Sequence, residues 1–195
     1  ESLFTYQGIP EPAIRMVYVT VGRIMHHVAR YDNYGYVGMI VGAAGTGKST
    51  FCMHLTKLWE ADDVGVLSNN CERQFALYPF MNKFLFVAPE VKSDFKLDQA
   101  EWQGITTGDP MSCAVKFKAA RAIRWKTPGF FAGNQIPDWV DHGGSVLRRL
   151  LIWRFDKRVG VENGNLPAGS ILLYSPEEEG RIPYVVRRTV EVAGD

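Results

Sequence analysis

The apolar positions Ile14, Val17, Tyr18, Val21, Met25 and Val28 recur at intervals of three and four, the spacing of one helical face, and predict a helix over 14–28. Pro10 and Pro12 precede this run and Gly35 follows it, so the helix leads into a turn. Residues 36–41 form an apolar segment of strand length. In 49–59, Phe51, Cys52, Leu55 and Leu58 fall roughly on one face and predict a second helix. A short strand over 64–67 and a helix over 72–80 follow. The nearly continuous apolar run 83–88 suits a strand covered on both faces. Residues 97–104 read as a helix that Asp98 can cap. The segments 113–118 and 121–126 are the arms of a hairpin with Ala119-Ala120 at its tip, and 130–133 and 150–155 are two further strands. Such alternation of strands and helices predicts an α/β sheet. After Arg158 the pattern weakens, because Gly160, Gly164, Pro167, Gly169 and the 176–180 turn leave only the short runs 171–174 and 184–185. The expected organisation is a helical lead-in over 1–35, a core over 36–159 and a peripheral extension over 160–195.

A chain of 195 residues suffices for one hydrophobic core. Apolar residues make up 46% and charged residues 22%, an ordinary globular balance. The net charge of +1 announces no nucleic-acid binder, so any such function must come from local clustering. Three cysteines, Cys52, Cys71 and Cys113, cannot all pair within the chain, and there is neither a CxxC nor a histidine cluster of zinc-site spacing. These features point to a reducing, intracellular setting. No membrane-spanning stretch or secretion signal is visible, so no membrane partner is expected. Glu1 in place of a methionine points to a piece of a longer polypeptide.

The chemistry is concentrated at Gly42-Ala43-Ala44-Gly45-Thr46-Gly47-Lys48-Ser49, between an apolar strand and an amphipathic helix. A glycine loop so placed lets backbone N–H groups converge on an anion at a helix N-terminus. Lys48 would neutralise charge on the β and γ phosphates of ATP, Ser49 would ligate magnesium, and Thr50 continues the nucleotide-binding segment. Glu90, beyond the 84–88 strand, stands where open α/β sheets present ligands. The position before it, where a second acid usually stands, is Pro89. Ser49 and water would then carry more of the Mg2+ coordination, with Glu90 contributing. Asn134, after Phe130-Phe131-Ala132-Gly133, can hold the attacking water or touch the γ phosphate, and its bland alternative is a turn asparagine before Pro137. The pair Arg148 and Arg149 suits phosphate oxygens through bidentate donors, or simply forms a solvated face.

Between 116 and 126 lie Lys116, Lys118, Arg121, Arg124 and Lys126 with no acidic residue among them. Such a run supplies phosphate-backbone contacts without reading sequence. A wet hairpin edge guarded by lysines is the plain alternative.

In order, Gly42–Ser49, Ala88-Pro89-Glu90-Val91-Lys92, Gly108-Asp109, Val115-Lys116-Phe117-Lys118, Gly133-Asn134-Gln135-Ile136-Pro137 and Ser145-Val146-Leu147-Arg148-Arg149 resemble the superfamily 3 viral helicases, which are AAA+ type ATPases. The resemblance is strongest to the helicase portion of poxvirus-like primase-helicases of large DNA viruses, and it covers about 36–159. It implies a P-loop core with a mostly parallel central sheet, Glu90 as catalytic acid and Asn134 as sensor of the γ phosphate. Arg149, or Arg148 beside it, would complete the neighbouring subunit's site. Lys118 and Arg121, then Lys116, would be the DNA contacts of a central-channel hairpin. The implied partners are further copies of the chain in a hexameric ring, single-stranded or forked DNA, other replication proteins and a primase domain in the same polypeptide. The implied setting is a viral factory in host cytoplasm, or the nucleus. A DNA-packaging ATPase, a nucleotide kinase and a non-catalytic nucleotide-binding oligomerisation module are the alternatives.

Overall fold

The computed structural model describes residues 2–68, 77–95, 99–115, 118–138 and 144–159. Five parallel strands form the central sheet: β1 (Val37–Gly42), β2 (Val64–Val66), β3 (Leu85–Val91), β6 (Gly129–Gly133) and β7 (Leu150–Phe155), in the spatial order β2-β3-β6-β1-β7. The helices are α1 (Ser2–Tyr6), α2 (Glu11–Arg23), α3 (Lys48–Thr56) and α4 (Gln99–Thr107). A separate antiparallel pair, β4 (Pro110–Val115) and β5 (Lys118–Arg124), forms the hairpin. No helix among the described residues is long and apolar enough to cross a membrane.

Strand side chains alternate between two cores, as a pleated sheet buried on both faces requires. Ile40, Leu85, Val87, Phe130 and Ala132 join α1, α2 and α3 in one core, around Phe4, Ile14, Val17 and Leu55. Met39, Val41, Phe86, Ala88 and Phe131 face the other way onto Trp102 and Ile105 of α4, with Trp125 and Phe95. The Trp153 indole crosses the first core to donate to the Ala13 carbonyl at 2.9 Å, which pins α2 to β7. Each fully buried large apolar side chain contributes roughly 1.5–3 kcal/mol.

Three expectations from the sequence are corrected, and a fourth falls mostly outside the described residues. Helix α2 stops at Arg23, not Val28, because Arg23 turns out to bind Asp32 and the Tyr34 carbonyl and Ala29 takes a left-handed φ of 58°. Met25 and Val28 still pack against the cores, but from a turn, so the three-four spacing outlives the helix. Ala119 and Ala120 lie within β5, past the Val115–Lys118 pair. Two alanines supply neither a positive φ nor a capping side chain, so they carry no turn chemistry. Tyr78–Phe80 is a short 3-10 turn, while most of the helix expected over 72–80 lies outside the described residues, as do Asp98, Lys116, Phe117 and the extension over 160–195. Glu90 lies inside β3, not beyond it.

Candidate functional site

Three adjacent strands, β1, β6 and β3, end side by side, and their carboxyl ends enclose a cavity of about 440 Å3. It is lined by 44–50, the loop after β1 and the start of α3, by Pro89–Lys92 of and after β3, and by Gly133 at the end of β6 with Asn134 after it. The loop, Glu90 and Asn134 therefore come together at one site, although they stand far apart in the sequence.

The loop can take its shape because of its glycines. Gly45 and Gly47 have φ of +76° and +94°, a region that side chains disfavour. Gly42 is needed for room, since a Cβ there would sit 2.0 Å from the Phe155 carbonyl oxygen of β7. Gly47 caps the N-terminus of α3, so the loop's amides and the start of the helix face the cavity together. Within the loop, Thr46 is fully buried and its hydroxyl donates to the Ala43 carbonyl at 2.9 Å.

Lys48 is buried, and its ammonium donates to the Gly42 carbonyl at 2.7 Å and the Ala43 carbonyl at 2.6 Å. Burial pushes the amine below the ordinary lysine value. The ammonium is thus folded back on its own loop, with no salt bridge to a carboxylate among the described residues. One turn further along α3, burial raises the Cys52 thiol to about 12, against the opposing pull of Lys48, so it is an inert core group.

Glu90 is aimed by a β-bulge. Ala88 pairs with Phe131 and Val91 with Gly133, so three steps on β3 match two on β6, and the extra residue falls at Pro89-Glu90. Proline has no N–H for a ladder and is tolerated at such an irregularity. A bulge bends the strand and re-aims its side chains, and Glu90 is exposed on the cavity wall. Opposite it, only glycine fits, because a Cβ on Gly133 would lie 2.3 Å from the Val91 carbonyl oxygen. The departure at Pro89 is thus a structural device. No spacing rule in the sequence announces it.

Ser49 is exposed on the same wall, and no group of three carboxylate, histidine or cysteine side chains that could cage a metal occurs among the described residues. That donor set fits magnesium, which keeps several waters and takes one or two protein oxygens beside phosphates.

Arg148 and Arg149 are elsewhere. They form the 3-10 turn Leu147–Arg149 that enters β7, where Leu150 pairs with Val37 at the amino end of β1. The phosphate loop leaves the opposite end of the same strand. Six residues of strand separate the two levels, roughly 16–20 Å. Neither arginine lines the cavity, and Arg149 donates to the Ser145 carbonyl, which holds it at its turn. Lys118 and Arg121 are carried by the backbone of β5, with Arg121 paired to Cys113, while Lys116 lies outside the described residues.

Sequence reasoning missed Gln7, a buried residue behind the loop. Its amide donates to the Thr46 carbonyl at 3.0 Å and the Lys157 carbonyl at 2.7 Å, and its oxygen accepts from the Lys157 N–H at 2.8 Å. A lone glutamine in a short N-terminal segment carries no signal for this.

The model of a family described as a family of unknown function, DUF5906, matches residues 40–149. No curated protein matches the sequence. Among solved structures, the chain is similar to the apo A form of the NrS-1 C-terminal region, with 18% identity and a TM-score of 0.62, over 99% of this chain and 44% of that one. It is also similar to JCV helicase, with 13% identity and a TM-score of 0.52, over 80% of this chain and 43% of that one. The chain thus spans less than half the length of either structure, and at these identities the likeness is one of fold.

Proposed function

We propose, starting from the fact that this chain belongs to the DUF5906 family, that it is the ATP-hydrolysing motor core of a DNA helicase. The observation that carries this reading is the convergence of the glycine loop, Glu90 and Asn134 at the ends of three adjacent parallel strands. A loop of amides with a buried ammonium binds a polyphosphate. A carboxylate and an amide across the cavity supply what hydrolysis requires beyond binding, namely a group to polarise water and one to position it.

In this mechanism Gly42–Gly47, Lys48, Ser49 and Thr50 hold the phosphates of ATP, with Ser49 and secondarily Glu90 toward magnesium. Magnesium, when bound, supplies charge neutralisation between the phosphates. Glu90 accepts the proton of the attacking water, and Asn134 donates to that water or to the γ phosphate. Arg148 and Arg149, a full strand length from their own loop, could supply transition-state charge only to another copy's nucleotide. That requirement favours a ring of copies, with six as the expected number, over a monomeric kinase.

The hairpin with Lys116, Lys118 and Arg121 would track the backbone of single-stranded or forked DNA. The lead-in 1–35 works with the core 36–159 as one unit, because Gln7 holds the phosphate loop. A primase domain in the same polypeptide and viral genome replication are carried by the motif order alone.

Steady-state ATP hydrolysis with and without single-stranded DNA, beside Glu90→Gln and Arg149→Ala, tests the reading. DNA-stimulated turnover, lost in both variants and partly recovered on mixing them, is expected. An assembled protein that binds ATP and never hydrolyses it would leave only the oligomerisation module.

A further inference from the structure

At the amino edge of the sheet, opposite the nucleotide cavity, a second cavity of about 420 Å3 opens between the end of α2 and the end of α4. Its walls include Arg23, His26, His27, Arg30 and Tyr31, with Pro128 and Gly129 at the entry to β6. None of these residues has a part in ATP chemistry.

The charges in it are not equivalent. Arg23 is neutralised by Asp32, through Nε at 2.8 Å and Nη2 at 2.7 Å, and its guanidinium lies 4.2 Å from the Tyr36 ring centroid. That fork rivets the loop and holds the Asp32 carboxyl below its ordinary value. Arg30 is exposed, lies 5.1 Å from the Tyr31 ring centroid, and has no carboxylate partner among the described residues. Tyr31 is 65% exposed and has the His26 ring edge-on at 4.8 Å. Burial, then the charges of Lys126 and Arg30, depress the His27 imidazole, so it adds a polar group and little positive charge near neutrality.

Ala29, immediately before Arg30, sits at φ 58°. A left-handed alanine is sterically disfavoured, and strain of this kind collects at sites where geometry serves a purpose. Here it turns the chain so that Arg30 and Tyr31 stand at the mouth of the cavity.

The cavity also lies at the foot of the hairpin. The Val28 N–H donates to the Lys126 carbonyl at 2.9 Å, and Arg124 Nε donates to the Gly108 carbonyl at 3.3 Å, just before β4 begins. Arg124 at the end of β5 and Lys126 just after it, both exposed, thus stand between the hairpin's base and Arg30. An unpaired guanidinium beside an exposed aromatic ring matches one nucleotide: phosphate on the cation, base on the ring.

We propose that this cleft binds one nucleotide unit of a single strand, extending the track of the hairpin, with Arg30 on a phosphate and Tyr31 stacked on a base. This rests on the DNA-motor reading. The test is fluorescence anisotropy with an oligo(dT) of roughly 20 nucleotides across a salt series, for the intact protein, Arg30→Ala, Arg30→Lys, Tyr31→Ala and the hairpin variant Lys118→Ala. Both altered side chains are exposed, and circular dichroism checks that the variants fold.

Tyr31→Ala should weaken binding about ten-fold, a stacking loss. Arg30→Ala should lower the salt slope by about one, and Arg30→Lys should restore it. A 5-iododeoxyuridine strand should photocrosslink to Tyr31. If Lys118→Ala weakens binding while both cleft variants bind as the parent does, the cleft proposal is wrong and the motor reading survives. If no form binds DNA, both fall. If thymidine monophosphate alone occupies the cleft as tightly as the strand does, the ligand is a free nucleotide and the strand assignment is overturned.

Discussion

The Gln7 side-chain amide donates to the Thr46 carbonyl at 3.0 Å, so the turn that follows α1 holds the back of the glycine loop. The same amide grips Lys157 after β7, and the Val159 N–H donates to the Gly45 carbonyl at 2.8 Å. The loop is therefore braced from two sides before any ligand arrives, which limits the ordering that nucleotide binding must accomplish.

Gln7→Ala should accordingly cost about 1–3 kcal/mol, the desolvation left when buried partners lose their hydrogen bonds. It should also raise the KM for ATP more than it lowers kcat. Urea denaturation with steady-state kinetics checks both, and an unchanged midpoint would show that the brace is dispensable.

The bulge at Pro89-Glu90 makes Gly133 irreplaceable. An added methyl would meet the Val91 carbonyl oxygen at 2.3 Å, a backbone atom that cannot rotate away. Gly133→Ala should destabilise by about 1–3 kcal/mol and slow turnover, because Glu90 and Asn134 flank the disturbed contact. Gly22, near the end of α2, has nothing within 4 Å of the same methyl, so Gly22→Ala should be neutral or stabilising by up to about 1 kcal/mol. Equal midpoints for the two variants would contradict the packing argument.

Lys48 sets an alkaline dependence. Burial lowers its folded value below 10.5, so the unfolded chain holds the extra proton in the interval between them. Stability of the nucleotide-free protein should therefore rise with pH through the depressed value and level off above 10.5, and it should be lost again as pH falls. Urea midpoints from about pH 8 to 11, compared with Lys48→Met, isolate the contribution. Parallel profiles for the two proteins would remove Lys48 as its source. Saturating ATP should flatten the rise, since phosphate favours the charged amine.

What the chain determined by itself follows from local physics. Glycines at 42, 45 and 47 before a lysine dictate a phosphate loop, because backbone freedom and anion chemistry are decided within eight residues. The strands β1, β3, β6 and β7 are legible from their apolar runs. The order β2-β3-β6-β1-β7 required the tertiary structure, since it depends on contacts between distant segments. So did the placing of Asn134 between the loop and Glu90. The end of α2 was not legible either: Met25 and Val28 keep a helical spacing while the Arg23–Asp32 pair, nine residues apart, dictates a turn. The bulge that aims Glu90 and the Gln7 brace arise from register and burial, which have no period in a sequence. The sequence named the candidate groups, and long-range pairing decided which of them meet.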